Sequence, residues 1–490
     1  MFDRWQSLNS ATIKKKFTVN FYNKIMRNNF TFFFELPKIL ASDPIYNQKI
    51  FQRLFLEKFF QKKINLKIVN KNINFSFERN NYPEKKYYHK IFFKSVLQIL
   101  DRFFTKKNNK DLIFFPFASM SMISRIKLKF FLNFKICFFF NEIEEIENKI
   151  YKNINNNFFM STFRENKLAI NKSDNFKNFI YKYIMTDMPT AVIEDYKFIN
   201  NLILNITINP KIIIASANYW NKFSFKLWLA DKISNQSLFF ISDHGRGLPP
   251  LKELLNFESF FCDRKLSWHK PLSKKYVQVP ALLYSMYNFT NSAGKYCSII
   301  GYEGHKYGYM INFQAQSSSA LKSYYQVVKF YKSLNPVIKN FFLIRVRKYN
   351  DTKISWDLDN FYTKKIGKNK ISNEQNYINF INNSRIIICT YPLTTFSDAI
   401  MSSKPTILIL PKDCYLFHKK FQKLINDFIN SKIIFFDPFK AANHINNIWD
   451  NPNIWWDSPK VAKLREKYKD NFCKFDNLST KEWCKILKKI

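Results

Sequence analysis

The sequence predicts an α/β protein with two parallel-sheet domains, and three observations lead there. From about residue 185, short strand candidates alternate with stretches of helical length. The alternation falls into two series that part near Gly294, as two domains of ordinary size require. Only seven glycines occur in 490 residues, all at or after Gly245, and five of them fall in two short stretches that each follow a strand candidate.

Taken in order, residues 1–180 form a Phe-, Lys- and Asn-rich N-terminal region assigned to the first domain. Its period is hard to read because nearly every position is apolar or basic. Asn47–Phe60 and Glu142–Tyr151 read as helices, and Leu112–Phe117 as a buried strand. The core of the first domain spans 181–294, with strand Lys211–Ser216, helix Ser224–Ile233 and strand Ser237–Asp243 forming one crossover unit. The second domain, 295–450, begins with strand Cys297–Gly301 and helix Ala320–Leu334. It continues through strand Phe341–Arg347, helix Asn373–Asn382, strand Arg385–Thr390, helix Thr395–Ser402 and strand Pro405–Leu410. A doubly wound domain of this kind takes its ligand at the carboxyl ends of its strands. Residues 451–490 are C-terminal helices that return toward the N-terminal domain, one of them starting at Ser458 as N-cap with Pro459 in the first position.

The formal charge of +41 excludes an acidic or charge-balanced enzyme, while 46% hydrophobic residues exclude wholesale disorder. Fifty-five Phe beside abundant Lys, Asn and Ile match the skew of AT-rich coding DNA, and the lysines are spread rather than clustered. No specific nucleic-acid partner is therefore expected. Anions are attracted all the same, whether phosphate-bearing substrates or the inner face of the cytoplasmic membrane in peripheral contact. The seven cysteines form no CxxC pair, which argues against zinc knuckles and a disulfide framework and for a reducing compartment. No metal-ligand constellation is seen, and no bound cofactor is expected. The N-terminus lacks the apolar core of a signal peptide, and no apolar stretch approaches the roughly 20 residues that span a bilayer, so a cytoplasmic protein is expected.

Candidate chemistry gathers at strand ends. In Asp243-His244-Gly245-Arg246-Gly247 a strand delivers a histidine onto a flexible turn. An imidazole there suits a general base, with the Gly amides and Arg246 open to phosphate or carboxylate; the alternative is a His satisfied within its turn. Gly301 and Gly304, in the second glycine stretch, lie where backbone amides could cradle a donor's phosphate, although the spacing is not GxGxxG. Arg345 and Arg347 share one face of their strand and could clamp one anion. Thr394, Thr395 and Asp398 run into a helix N-terminus, where hydroxyls and free amides stabilise an anion and Asp398 could accept a ribose hydroxyl; alternatively, Thr394 is an N-cap and Asp398 an exposed helix residue. Asp263, with Glu253 and Glu258, follows the His loop and offers carboxylates to the same side of its domain. Trp268, Trp455 and Trp456 read as packing residues.

At these residues a family becomes recognisable. The chain resembles a group of bacterial transferases of surface-polysaccharide biosynthesis with the GT-B architecture, two Rossmann-like domains facing a cleft. The match starts near Asp187 and takes in Pro189, Glu194, FKLWLAD (225–231), the strand into HGRG, DRKLSWHKP (263–271) and RVRKYN (345–350). It closes with TYPLTTFSDAIMSSKPTILI (390–409) and IWWDSPKVAKLREKY (454–468). Arg246 interrupts what is usually a longer glycine run, Asp398 stands where Glu is common, and RVRKY replaces the more usual arginine, apolar, Tyr-Pro pattern.

The resemblance implies a metal-independent glycosyltransferase, with residues 1–180 and 181–294 on the acceptor side and 295–450 as the donor-binding domain, moving a sugar from a nucleotide-activated donor to a surface-glycan or lipid-linked acceptor. His244 would be its base, and Arg345, Arg347, Thr394, Thr395, Asp398, Gly301 and Gly304 its donor-side residues. Glu194, Asp243, Gly245, Arg246, Gly247 and Asp263 would be its acceptor-side or supporting residues. Two other readings stay open: transfer of a polyol phosphate to a wall or capsule polymer, and a non-enzymatic basic protein that binds RNA or anionic membrane.

Overall fold

In the computed structural model the residues described are chiefly 111–116, 118–138, 196–206, 208–216, 223–245, 262–303, 318–346, 356–412, 414–415 and 417–489, with isolated positions between 96 and 149 and at 219. Asn47–Phe60 and most of Glu142–Tyr151 lie outside them, as do Glu194, Arg246, Gly247, Glu253, Glu258, Gly304 and Arg347. The chain divides into two compact units, Met1–Ala118 with Arg125–Phe239 and Ser119–Ser124 with Phe240–Ile490.

Along the chain, β1 (Ile113–Phe114), α1 (Met122–Phe131) and β2 (Ile136–Cys137) are followed by α2 (Tyr196–Leu204), β3 (Ile212–Ala215), α3 (Phe223–Ser234), β4 (Leu238–Ser242), β5 (Arg264–Ser267) and β6 (Tyr276–Gln278). These strands form one six-stranded sheet in the order β2-β1-β3-β4-β5-β6. The pairs β1/β2, β1/β3, β4/β5 and β5/β6 are all parallel. A parallel strand is covered on both faces and reads as an unbroken apolar run, and Ile212–Ala215 is buried at every position. The expected strand in Leu112–Phe117 is β1, so part of the N-terminal region belongs to this sheet.

Next come β7 (Tyr296–Gly301), α4 (Ser318–Ser333), α5 (Pro336–Asn340), β8 (Phe342–Val346), α6 (Leu358–Ile366), α7 (Tyr377–Asn382), β9 (Ser384–Cys389), α8 (Thr394–Met401), β10 (Thr406–Ile409), α9 (Gln422–Asn430) and β11 (Ile434–Phe435). The chain closes with α10 (Pro438–Ile448), α11 (Pro452–Trp456), α12 (Pro459–Phe472) and α13 (Ser479–Lys489). The second sheet has the order β11-β10-β9-β7-β8, parallel throughout. The α/β class and its two Rossmann-like parallel sheets are as the sequence led us to expect. In both sheets the second strand lies on one side of the first and the third on the other. That creates a topological switch point, between β7 and β9 in the second sheet.

Within the second unit the C-terminal helices pack beside the β5–β6 end of the first sheet. Lys270 N–H donates to Asn471 O at 2.9 Å, Ala281 N–H to Lys474 O at 2.9 Å, and the buried Trp483 indole to Pro280 O at 2.7 Å. Trp268 and Trp456 are fully buried, the latter bonding Ser403 O at 2.9 Å beneath the Arg465 guanidinium. Ser458 is the N-cap of α12 with Pro459 at its start, but the Ser458 hydroxyl donates back to Trp455 O at 2.7 Å instead of capping the helix.

Gly294, just before β7, is required sterically. A Cβ there would sit 1.9 Å from Ser384 O, the first residue of β9, and backbone on backbone leaves no side chain to swing aside.

Candidate functional site

The site is built inside the second unit, beginning at the carboxyl end of β4. Asp243 directly follows that strand in a buried position, where a carboxylate is costly unless paired and hydrogen-bonded. All its needs are met by β5 and the residue after it. Lys265 Nζ lies 3.1 Å from Oδ1, while the Ser267 hydroxyl and the Trp268 amide donate to Oδ2 at 2.7 and 3.0 Å. Asp243 is thus a structural anchor. It pins the turn that follows, in which His244 is exposed and Gly245 half-buried.

Gly245 lies against the start of α8. A Cβ on it would fall 2.6 Å from Thr394 Oγ1, so the glycine lets the β4 turn pass over the first residue of that helix. This contact brings two separately noted motifs together, the His loop and the Thr-Thr helix start. The α8 N-terminus itself stands at the switch point. Thr390 Oγ1 donates to Ile300 O at 3.3 Å, and the rings of Tyr302 and Tyr391 meet at 4.9 Å, joining the ends of β7 and β9.

Leu393, not Thr394, is the N-cap, and no side chain caps the helix. The Thr395 hydroxyl is buried without a hydrogen-bond partner among the described residues. An uncapped helix N-terminus with a spare hydroxyl retains its capacity to receive an anion.

Asp398 is 2% exposed, because α8 turns Phe396–Ile400 inward, so the alternative of an exposed helix residue does not hold. Tyr377 donates its hydroxyl to Asp398 Oδ2 at 2.9 Å. Tyr284 also acts on the carboxyl, though Oδ1 receives no fully formed hydrogen bond. Burial pushes the Asp398 pKa up to about 7, against the two phenols that favour its charged form. Burial likewise raises Tyr284, Tyr287, Tyr377 and Tyr468, so these phenols stay neutral around the carboxylate.

Arg345, at the end of β8, is half-buried. Its guanidinium lies 5.2 Å from the Tyr377 ring and donates to Gln375 O at 3.3 Å. Gly301 is buried, and a Cβ there would come within 3.3 Å of Arg345 O, so close packing of β7 on β8 already accounts for this glycine. Glu303, two residues on, is buried and accepts the Trp356 amide at 2.5 Å. Asp263 requires a correction. It precedes β5, which runs parallel to β4, so it lies at the amino end of the sheet while His244 follows the carboxyl end. Its exposed carboxylate does not join the His side.

Sequence reasoning missed Lys265, Ser267, Tyr284 and Tyr377. The first two sit in DRKLSWHKP, which stood out without an assigned role; they hold Asp243. Nothing local marks Tyr377. Among the described residues no three His, Cys, Asp or Glu side chains gather as metal ligands, and no helix is long and apolar enough to cross a membrane.

The model of the LIC12162 family transferases matches residues 1–487. The chain belongs to this family. Membership covers the N-terminal region as well, well beyond the stretch from Asp187 that carried the resemblance, and makes the protein a transferase. None of the curated proteins matches the chain. Among solved structures it is similar to WaaG, a glycosyltransferase involved in lipopolysaccharide biosynthesis, with a TM-score of 0.31 and 6% identity over 77% of this chain and 99% of that one. The glycotransferase of kitacinnamycin gives 0.33 and 6%, over 77% and 98%. For this family member the Rossmann-like reading rests on the parallel sheet orders themselves.

Proposed function

We propose that this transferase moves a sugar from a nucleotide-activated donor to a surface-glycan or lipid-linked acceptor. One observation carries the reading: exposed His244 adjoins Gly245, whose backbone presses on Thr394 at the uncapped start of α8. A general base and an anion-binding helix terminus therefore lie side by side at the carboxyl edge of the sheets, where α/β proteins take their ligands. The α8 amides and Thr395 receive a donor phosphate, and Arg345 supplies a permanent positive charge as the leaving diphosphate gains negative charge. With a helix dipole and a guanidinium in place, the reaction needs no bound metal to neutralise that charge. His244 takes the proton from the acceptor hydroxyl. The high net positive charge supports peripheral residence at an anionic cytoplasmic membrane surface, where a lipid-linked acceptor would be met.

A thermal-shift screen against CMP-, UDP-, GDP- and CDP-linked sugars tests the donor half, since a ligand that binds the native state stabilises it. One nucleotide should raise the melting temperature in the wild type and in His244→Ala, but not in Thr395→Ala or Arg345→Ala. No shift with any of them in folded protein would reject the reading. His244→Ala should still bind donor and lose transfer.

A further inference from the structure

The segment between β8 and β9 is tied to both ends of the proposed anion site. Ser372 N–H donates to Ile344 O at 2.8 Å, and Ile371 bridges Ile344, so the segment runs along β8. Further on, Gln375 O accepts from Arg345 at 3.3 Å, and Asn376 caps α7 by accepting the Ile378 amide at 2.8 Å. Tyr377 is the first residue of that capped helix. Its ring lies 5.2 Å from the Arg345 guanidinium, and its hydroxyl bonds Asp398 one turn into α8. One side chain therefore touches both an arginine of β8 and a carboxylate of α8, elements that follow different strands of the sheet.

We propose that Tyr377 is a positioning residue: its ring under Arg345 and its hydroxyl on Asp398 fix the spacing between that guanidinium and the α8 N-terminus, so that one diphosphate spans both. This rests on the reading of the α8 N-terminus as the donor-phosphate site. Asp398 lies one turn from Thr394, so an anion bound there favours the neutral carboxyl, and affinity declines as pH rises through its titration. The groups facing Asp398 are Tyr284 and Tyr287 after β6, Tyr377 on α7, Cys389 on β9, and Tyr468 and Cys473 at the end of α12, with Arg345 above the Tyr377 ring. Burial raises all of those phenols and thiols, so Asp398 is the one among them that changes charge near neutrality.

The experiment is isothermal titration of inorganic pyrophosphate, UDP, GDP, CDP and CMP into full-length wild type, Tyr377→Phe, Tyr377→Leu and Tyr377→Phe/Asp398→Asn from pH 6.0 to 8.5. Tyr377→Phe removes one oxygen and keeps the ring. It should weaken binding about tenfold and move the pH midpoint of the affinity decline upward by about one pH unit, because the carboxylate loses a bond favouring its charge. Comparing proteins cancels the probe's own titration. Tyr377→Leu should bind more weakly still, and the double variant should show no pH midpoint in this window. A merely structural Tyr377 would lower the melting temperature and still move the midpoint, but would leave the affinity at pH 6.0, below the midpoint, unchanged. If the wild type binds probes and both Tyr377 single variants match its affinity at pH 6.0, this proposal is overturned and the donor-site reading stands. If the wild type binds none, that reading falls and the proposal with it. Should Tyr377→Leu fail to fold, the Phe variant alone decides.

Discussion

Replacing Asp398 by Asn should flatten the dependence of stability on pH near neutrality. The carboxyl is buried on α8, and its pKa moves from an ordinary 3.8 to about 7. At 1.36 kcal/mol per pH unit, burial therefore costs the charged form about 4 kcal/mol. The sign follows from proton binding. Between pH 3.8 and about 7 the folded protein holds a proton on Asp398 that the unfolded chain has released, so stability falls as pH rises through this window and is level above it. Asn keeps an oxygen to accept from Tyr377 and carries no charge, so its contribution does not vary with pH. For a unit of roughly 250 residues, about 4 kcal/mol corresponds to about 8 °C in melting temperature. Circular-dichroism melts of both proteins between pH 4.5 and 8.5 are the assay. The wild type should lose several degrees relative to Asp398→Asn on going from pH 5 to pH 8. Parallel curves across that window would refute the assignment of a buried, neutral-pH carboxyl to this position.

Further predictions follow from three other contacts. Gly245→Ala places a methyl 2.6 Å from Thr394 Oγ1 and should cost about 1–3 kcal/mol by chemical denaturation, with Gly245→Ala/Thr394→Ala recovering most of it. Lys265→Met leaves the Asp243 carboxylate buried without its cation and should cost about 3–5 kcal/mol, whereas pairing it with Asp243→Asn should be much milder. Gly294→Ala drives a methyl to 1.9 Å from Ser384 O, backbone against backbone, and should be the most damaging glycine replacement of the three positions 245, 294 and 301, read as loss of folded yield or of cooperative melting.

Much of the architecture was legible because its signals are local. The run KIIIAS is a strand buried on both faces and FFLIRV an apolar strand at the sheet edge, and their spacing by helical stretches makes the sheets parallel. The Ser458-Pro459 helix start likewise lies in neighbouring residues. Short or half-polar strands gave no such signal. β2 and β11 are two residues long, and β5 reads Arg-Lys-Leu-Ser, a strand only because Asp243 neutralises Lys265 inside the fold.

By itself the sequence determined the α/β class, the two series of elements, that Asp243 follows a strand, and that Thr390–Asp398 runs from a strand into a helix start, since periodicity and turn chemistry act over a few residues. Only the tertiary structure decided that Gly245 rests on Thr394, that Asp263 lies at the far end of its sheet from His244, and that Asp398 is buried against Tyr377. Those outcomes depend on strand order and on which face of α8 turns inward, and both are set by the burial of residues more than a hundred positions apart, from the β4 turn to α8.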